Sequence, residues 1–398
     1  MAMQDTDRAA PLAPPDMPTQ RPGAPQGQDA VRARYEALGP SHMPGDFSIS
    51  LDTYRKGGTD RFIGRAPDGL HSQSMRGFEP GYVNIVDYII RITHRIWEEK
   101  DIGYIYDTYS HDCTIWDDFG LQCGRDKVIA DTVQTNNAFP DIRIVADDVI
   151  WAGDESVGFH TSHRSTIFGT NTGYSRFGEP TGKRIQIWCI ANCVARENEI
   201  FHEYVVYDTA AIIRQLGLDV VEWARRLAPL GTVAAQNFMA SEPRRMLGQG
   251  KPPSIPIPPP ENGIDKFVHA AFQTIWNRRN FAAIDQVYAA NAISQGSGCR
   301  VYRGTGQIRS YVLSIIAMFP DLHLTVDDVY WIGNAGDGFT VSVRWSAQGS
   351  HRGHGPYGEP TGRQISLWGI NHWVIESGVV QKEWMMFNEF GILMQIHR

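Results

Sequence analysis

Two tandem α+β domains are the fold class that this sequence predicts, and three observations predict it. The chain has 398 residues, too long for one ordinary domain and suited to two. GEPTGKRIQIW at 178–188 returns as GEPTGRQISLW at 358–368, and FPDIRIVADDVIWAG at 139–153 returns as FPDLHLTVDDVYWIG at 319–333. The offset of 180 holds without a gap through Asp208 and Asn388, and a period this long means two copies of a whole domain. Within each copy helical periodicity comes first and a run of strands follows, the order of an α+β fold with an antiparallel sheet.

The helices are predicted where Ile89, Ile92, Ile96 and Trp97 recur at helical spacing, and again at Phe267, Ala271 and Ile275. YIIRITHRIWEEKDIGYIYDTY at 88–109 pairs loosely with FVHAAFQTIWNRRNFAAIDQVY at 267–288. Strands follow in IRIVADDVIW, GFHTSHRSTIFG, RIQIWCIANCVA and IFHEYVVYD, and in their counterparts GFTVSVRWSAQG, QISLWGINHWVI and VVQKEWMMFN. The repeated FGEPTGK-type stretch joins two strands, and its glycines and proline suit a structural hairpin loop.

Composition sets the boundaries. Residues 1–80 comprise a Pro/Gln/Gly-rich start, expected to be disordered over 1–30, and an extended arm expected to wrap over a folded body. The first domain is expected at 81–230 and the second at 263–398. Between them, 231–262 carries SEPRRMLGQGKPPSIPIPPPEN, a semi-rigid Pro-rich linker. A net charge of −7 gives no reason to expect nucleic acid or an anionic membrane as partner. The five cysteines form no zinc-like pair, no stretch approaches a membrane span, and the N-terminus lacks an apolar core of signal-peptide length. The expectation is a cytoplasmic protein with reduced thiols.

FPD with DDV, a strand, GTNTG or GSHRG, the loop [FY]GEPTG[KR] and a final acidic and aromatic strand together resemble the SnoaL-like polyketide cyclase family, of the nuclear transport factor two-like superfamily. DTAAIIRQLG at 208–217 resembles that family's C-terminal end. The resemblance covers about 85–220 and 263–398. It implies cone-shaped domains, each with helices on a curved antiparallel sheet and a pocket at the wide end. It also implies pairing through the sheets, so the two copies could form an internal pseudo-dimer, with a homodimer in addition. The cyclases keep an aspartate base on the last strand. Val205 and Met385 hold that position here, so cyclisation itself is not carried over.

Differences between the copies locate candidate chemistry. Thr161, His163 and Ser165 share one strand face where the second copy has Val341, Val343 and Trp345. Trp116, Asp117 and Asp118 have no counterparts in YAANAISQGSG; Asp118 suits a solvated turn. On the last strand Glu203, Val205 and Tyr207 share a face, as do Glu383, Met385 and Phe387. A glutamate there is either a general base raised by burial or a structural ion pair with Arg164 or Arg344. His160, His163 and His202 lie on neighbouring strands, but their spacing writes no metal pair, and no metal is expected.

These residues together predict a cofactor-free enzyme acting on a small, partly apolar organic substrate by acid–base chemistry: an isomerisation, an elimination or dehydration, or a hydrolysis. The expected catalytic residues are Glu203 and His163 with Asp117 orienting. Trp116, Tyr207, Ser165, Cys189 and Glu383 are expected to contact substrate. The first copy is expected to be active and the second to buttress it. The alternative is a non-catalytic binding protein with two cavities.

Overall fold

The computed structural model of the chain describes residues 70–228 and 251–398, together with Asp68. The expected disordered start, most of the arm and residues 231–250 of the linker lie outside the described residues. The end of the arm packs on the first repeat, where Phe78 meets Tyr88 and Phe159 edge-on, with ring centroids 4.9 and 5.8 Å apart.

Repeat 1 opens with α1 (Ile85–Trp97). Asn84 caps it by accepting from the Asp87 backbone N–H at 2.7 Å, and Asp87 accepts back from the Val83 N–H at 3.1 Å, a reciprocal cap. Ile85, Ile89, Ile92 and Ile96 form its buried stripe. A short turn of helix, α2 (Ile105–Thr108), leads into β1 (Tyr109–Asp117), β2 (Gly120–Cys123) and α3 (Arg125–Ala138). Then come β3 (Arg143–Asp154), β4 (Gly158–Thr170), β5 (Arg184–Arg196), β6 (Glu199–Tyr207), α4 (Thr209–Gln215) and α5 (Val220–Leu227).

Repeat 2 restates this as α6 (Ile264–Phe272) with a π turn at Gln273–Asn277, α7 (Ile284–Val287), β7 (Tyr288–Gly296), β8 (Arg300–Arg303) and α8 (Gly304–Met318). It continues with β9 (His323–Asn334), β10 (Gly338–Ser350), β11 (Gln364–Glu376), β12 (Val379–Phe387) and α9 (Glu389–His397).

Each repeat is one six-stranded sheet, ordered β2-β1-β6-β5-β4-β3 and β8-β7-β12-β11-β10-β9. The ladders are antiparallel except β1 with β6 and β7 with β12, which are parallel. Registers repeat at the same offset: Cys189 faces Tyr207 as Gly369 faces Phe387, and Trp151 faces Thr161 as Trp331 faces Val341. The bulges recur too, at Val194/Ala195 and Val374/Ile375. The α+β tandem architecture is therefore the one that the repeat predicts. Helices α3 and α8 stand outside the sequence-based expectation: α3 buries only Thr132 and Ala138 and so carries no apolar stripe, whereas α8 buries Ile308, Tyr311, Val312, Ile315 and Met318 at helical spacing.

The sheets pack on one another through the faces turned away from their helices. Trp368, Ile370 and Met386 meet Ile190 and Val206, flanked by Trp116, Trp188, Tyr204 and Trp384. Two contacts exchange reciprocally: the Arg164 guanidinium lies 3.7 Å from the Trp384 ring centre, and that of Arg344 lies 4.1 Å from the Tyr204 ring centre. Arg164 and Arg344 are equivalent, as are Tyr204 and Trp384, so this is an isologous, self-complementary interface inside one chain. No helix among the described residues is long and apolar enough to cross a membrane.

Candidate active site

Strand alternation sends Glu203, Val205 and Tyr207 of β6 to the helix side of the first sheet, and all three line a cavity of about 220 Å³. Helix α1 contributes Ile96 and Trp97, α3 contributes Val128 and Thr132, and β1 contributes Ile115 and Asp117. The walls are mostly apolar. Polar groups converge at one side, where Tyr109 and Glu203 sit, and at the mouth, where Asp117, Gln122 and Arg176 sit.

Glu203 is buried, with a single hydrogen-bond donor, the Tyr109 hydroxyl, at 3.1 Å from Oε2. Desolvation lifts its carboxyl from the ordinary value near 4.5 to about 7; the Tyr109 bond opposes the shift and the Asp117 charge adds to it. Burial likewise raises Asp117 to about 6, against the pull of the Phe119 N–H and Arg176. The Phe119 N–H donates to Asp117 Oδ1 at 2.8 Å, so Asp117 also closes the β1–β2 turn.

Repeat 2 shows what the same scaffold does with a structural glutamate. Glu383 accepts from Tyr288 (2.8 Å), Ser294 (2.6 Å), Asn371 (2.7 Å) and the Trp373 indole (2.7 Å). Matching strand positions in repeat 1 keep only the tyrosine: Ser294 becomes Ile115, Asn371 becomes Ala191 and Trp373 becomes Cys193. Volume is removed with the donors. Trp345, buried with its indole bonded to Asn371 Oδ1 at 2.7 Å, corresponds to Ser165. Repeat 1 therefore surrounds its carboxylate with fewer donors and smaller side chains than repeat 2 does.

Several expected site residues lie elsewhere. Trp116 points through the opposite face of the sheet and stacks on Tyr204 at the repeat interface, with centroids 6.1 Å apart. The alternation that puts Asp117 in the cavity puts its neighbour outside. His163 faces the interior but does not line the cavity. It is two strands from Glu203 and diagonal to it, so their Cα atoms are at least roughly 10 Å apart. Burial beside Arg164 depresses its imidazole to about 4, leaving it neutral at pH 7. His163 and Glu203 are thus no hydrogen-bonded acid–base pair.

Ser165 and Cys189 hydrogen-bond one another on the same face, outside the cavity lining, and burial pushes the Cys189 thiol well up. Glu383 is the buried carboxylate with four donors just described, and it does not line this cavity. Asp118 is no solvated turn: it is buried, accepts from Thr209 Oγ1, and has its carboxyl raised well above the usual range by that burial.

The ion-pair alternative for Glu203 also falls away, because Arg164 lies on the other face and pairs with Asp147 at 3.4 Å. The three histidines do not converge. His160 packs toward Tyr330, His202 bonds Thr114 Oγ1 at 2.5 Å, and His163 faces the other side. Among the described residues no three His, Cys, Asp or Glu are grouped to hold a metal ion.

Tyr109 and Arg176 join the site from outside the expected set. Tyr109 carried a signal, since Tyr288 stands in the same place at the end of the second helical segment. Arg176 corresponds to Pro356, a polar-for-apolar exchange inside the repeated loop itself.

The repeated loop positions that mouth. Asn171 donates to the Ala138 and Gly173 carbonyls and accepts from the Thr181 N–H at 2.9 Å, tying the loop to the end of α3. In repeat 2 the His351 ring takes the acceptor role toward Thr361. The loop is a structural clasp in both copies, and in repeat 1 it also delivers Arg176 and Phe177 to the cavity.

Among curated proteins none matches the chain. Solved structures similar to it include IdmH from Streptomyces antibioticus, at 18% identity over 33% of this chain and 98% of that one, with a TM-score of 0.29. TsrD from Streptomyces laurentii is 17% identical over 33% and 94%, with a TM-score of 0.30. AclR from Streptomyces galilaeus is 17% identical over 33% and 92%, with a TM-score of 0.29. The family model of the SnoaL-like polyketide cyclases matches residues 88–216 and again 266–396, one match for each of the two sheets described above. The chain is a member of the SnoaL-like polyketide cyclase family, with two copies of the family's domain in tandem.

Proposed function

We propose that repeat 1 is a cofactor-free acid–base enzyme for a small, largely apolar organic molecule, with Glu203 as its proton acceptor. One observation carries this reading: Glu203 keeps one donor and borders a cavity, whereas its equivalent Glu383 is buried and held by four donors. A carboxyl raised to about 7 is present at neutral pH in both forms, so it can accept a proton and return it. Tyr109 fixes the orientation of Oε2 and can follow the charge as it changes. Asp117 sits on the same wall, where it can polarise a bound oxygen or hold a water. Such a set serves proton transfer at carbon, elimination, or activation of water for hydrolysis.

Proton abstraction can be tested before the substrate is known. A two-ring ketone such as 2-tetralone, incubated in D₂O, should exchange its acidic C–H with the protein in excess of the buffer rate. Glu203→Gln should reduce that excess by ~10²–10⁴-fold, the usual worth of a positioned base. Exchange that is equal for the two proteins removes Glu203 from the role. The alternative, a binding protein without catalysis, draws on Asp117, whose Oδ1 is engaged by the β1–β2 turn. It predicts binding of such ketones with no exchange.

A further inference from the structure

The mouth of the repeat 1 cavity is not built by repeat 1 alone. Phe119, in the β1–β2 turn, and Phe177, in the repeated loop, both line the cavity. Behind them stands Phe390, the second residue of α9, the terminal helix of repeat 2. Its ring meets Phe119 edge-on with centroids 5.9 Å apart and Phe177 at 6.4 Å. Phe390 is buried, and the next residue, Gly391, lets the helix come so near that an added Cβ would sit 2.9 Å from the Asp118 carbonyl oxygen.

The reciprocal corner lacks this arrangement. In repeat 1 the position of Phe390 is held by Ala210. The turn equivalent to Asp118–Phe119 is Ser297–Gly298–Cys299, one residue longer and without an aromatic ring. There Asp208 instead accepts from the Gly298 N–H at 2.8 Å and the Cys299 N–H at 2.9 Å. The aromatic cluster therefore stands at one of the two corresponding corners, the one beside the cavity.

We infer that repeat 2 sets what repeat 1 can bind: Phe390 backs Phe119 and Phe177 as the outer stop of the cavity and restricts it to molecules of one or two rings. The size limit follows from volume. An apolar cavity of about 150 Å³ holds one benzene ring. A cavity of about 220 Å³ holds one substituted ring or two small fused rings. This inference rests on the cavity being the ligand site and is independent of whether Glu203 abstracts a proton. Phe390 is a positioning residue, acting through the two rings in front of it.

The test uses the full chain and a series of 4-n-alkylphenols from phenol to 4-octylphenol, with binding measured calorimetrically. Phenol offers one ring and a hydroxyl for Glu203 and Tyr109. The wild type should bind the short members and lose affinity sharply, by tenfold or more, past a definite chain length. Phe390→Ala should move that limit to longer chains while short members bind within about threefold of wild type. Phe390→Leu should place it in between. A general loosening of the fold would instead weaken the whole series together. Phe119→Leu, which changes the front ring and leaves α9 intact, should shift the limit in the same direction. An unchanged limit in all three variants, uniform weakening across the series, or no phenol binding to the wild type each overturns the proposal. Glu203→Gln should leave the length limit where it is, which separates this result from any failure of the catalytic reading.

Discussion

A carboxylate's neighbours decide its work, and Glu203 and Glu383 make the comparison within one chain. With a single donor left to it, Glu203 should respond strongly to the loss of that donor. The Tyr109 bond favours the charged form, so Tyr109→Phe should move the rising limb of the pH–rate profile, or a direct titration, further above 7. Glu383→Gln should behave differently. The new amide offers N–H groups to a pocket of donors, and unfolding should become easier by on the order of 2–4 kcal/mol, read from denaturant midpoints, with little change in cavity ligand binding. Stability against pH gives a third check. Between about 4.5 and 7 the folded protein holds the Glu203 proton and the unfolded chain has released it. The native state binds more protons in that window, so this group's contribution to stability declines as pH rises through it, by about 3 kcal/mol in total. Glu203→Gln should flatten that part of the stability curve and leave the protein more stable than wild type at pH 8.

The repeated loop shows at the level of elements how one motif can carry structure in two places and function in one. Gly173 and Gly353 sit so close to the preceding helix ends that an added Cβ would lie 1.8 Å from the Asn137 carbonyl oxygen and 1.7 Å from that of Ala317. Gly173→Ala and Gly353→Ala should therefore each lower the melting temperature, by the equivalent of roughly 1–3 kcal/mol. Gly173→Ala should also weaken phenol binding, because its loop carries the cavity-lining Phe177, and Gly353→Ala should leave that binding unchanged. The strands of these elements were legible in the sequence, since period-two alternation assigns faces directly: it placed Glu203, Val205 and Tyr207 together. It does not reach Trp116, because YSHDCTIWD, with His111 and Asp112 next to one another, carries no clean apolar–polar alternation to mark it as a strand. It misled for His163, because sharing a face is not sharing a cavity. Two strands of lateral separation are invisible in a single strand's pattern. Asp118 was misread for a related reason, as the parallel β1–β6 pairing draws that turn into the interior.

At the scale of the whole molecule the offset of 180 made the tandem fold plain, and the contrast between copies pointed to repeat 1. What it could not show is that the copies trade side chains. The exchanged Arg164–Trp384 and Arg344–Tyr204 contacts, and Phe390 at the other repeat's mouth, depend on how two sheets dock. That docking buries a broad apolar face with Ile190, Val206 and Trp188 on one side. Residues 70–228 produced alone would expose that face. Size-exclusion chromatography should find them self-associated or aggregated, while the full chain is not driven to associate through it. A well-behaved monomer of that fragment would show that the interface contributes little.

Burial, opposed by the single Tyr109 donor, leaves the Glu203 carboxyl holding its proton to near neutrality. Infrared difference spectroscopy across a pH titration measures this directly and needs no substrate. The prediction is a protonated carboxyl band, absent from Glu203→Gln, that disappears with a midpoint near 7. If the band that the substitution removes instead titrates below pH 5, Glu203 is an ordinary solvated or satisfied carboxylate, and the acid–base role assigned to this cavity is wrong.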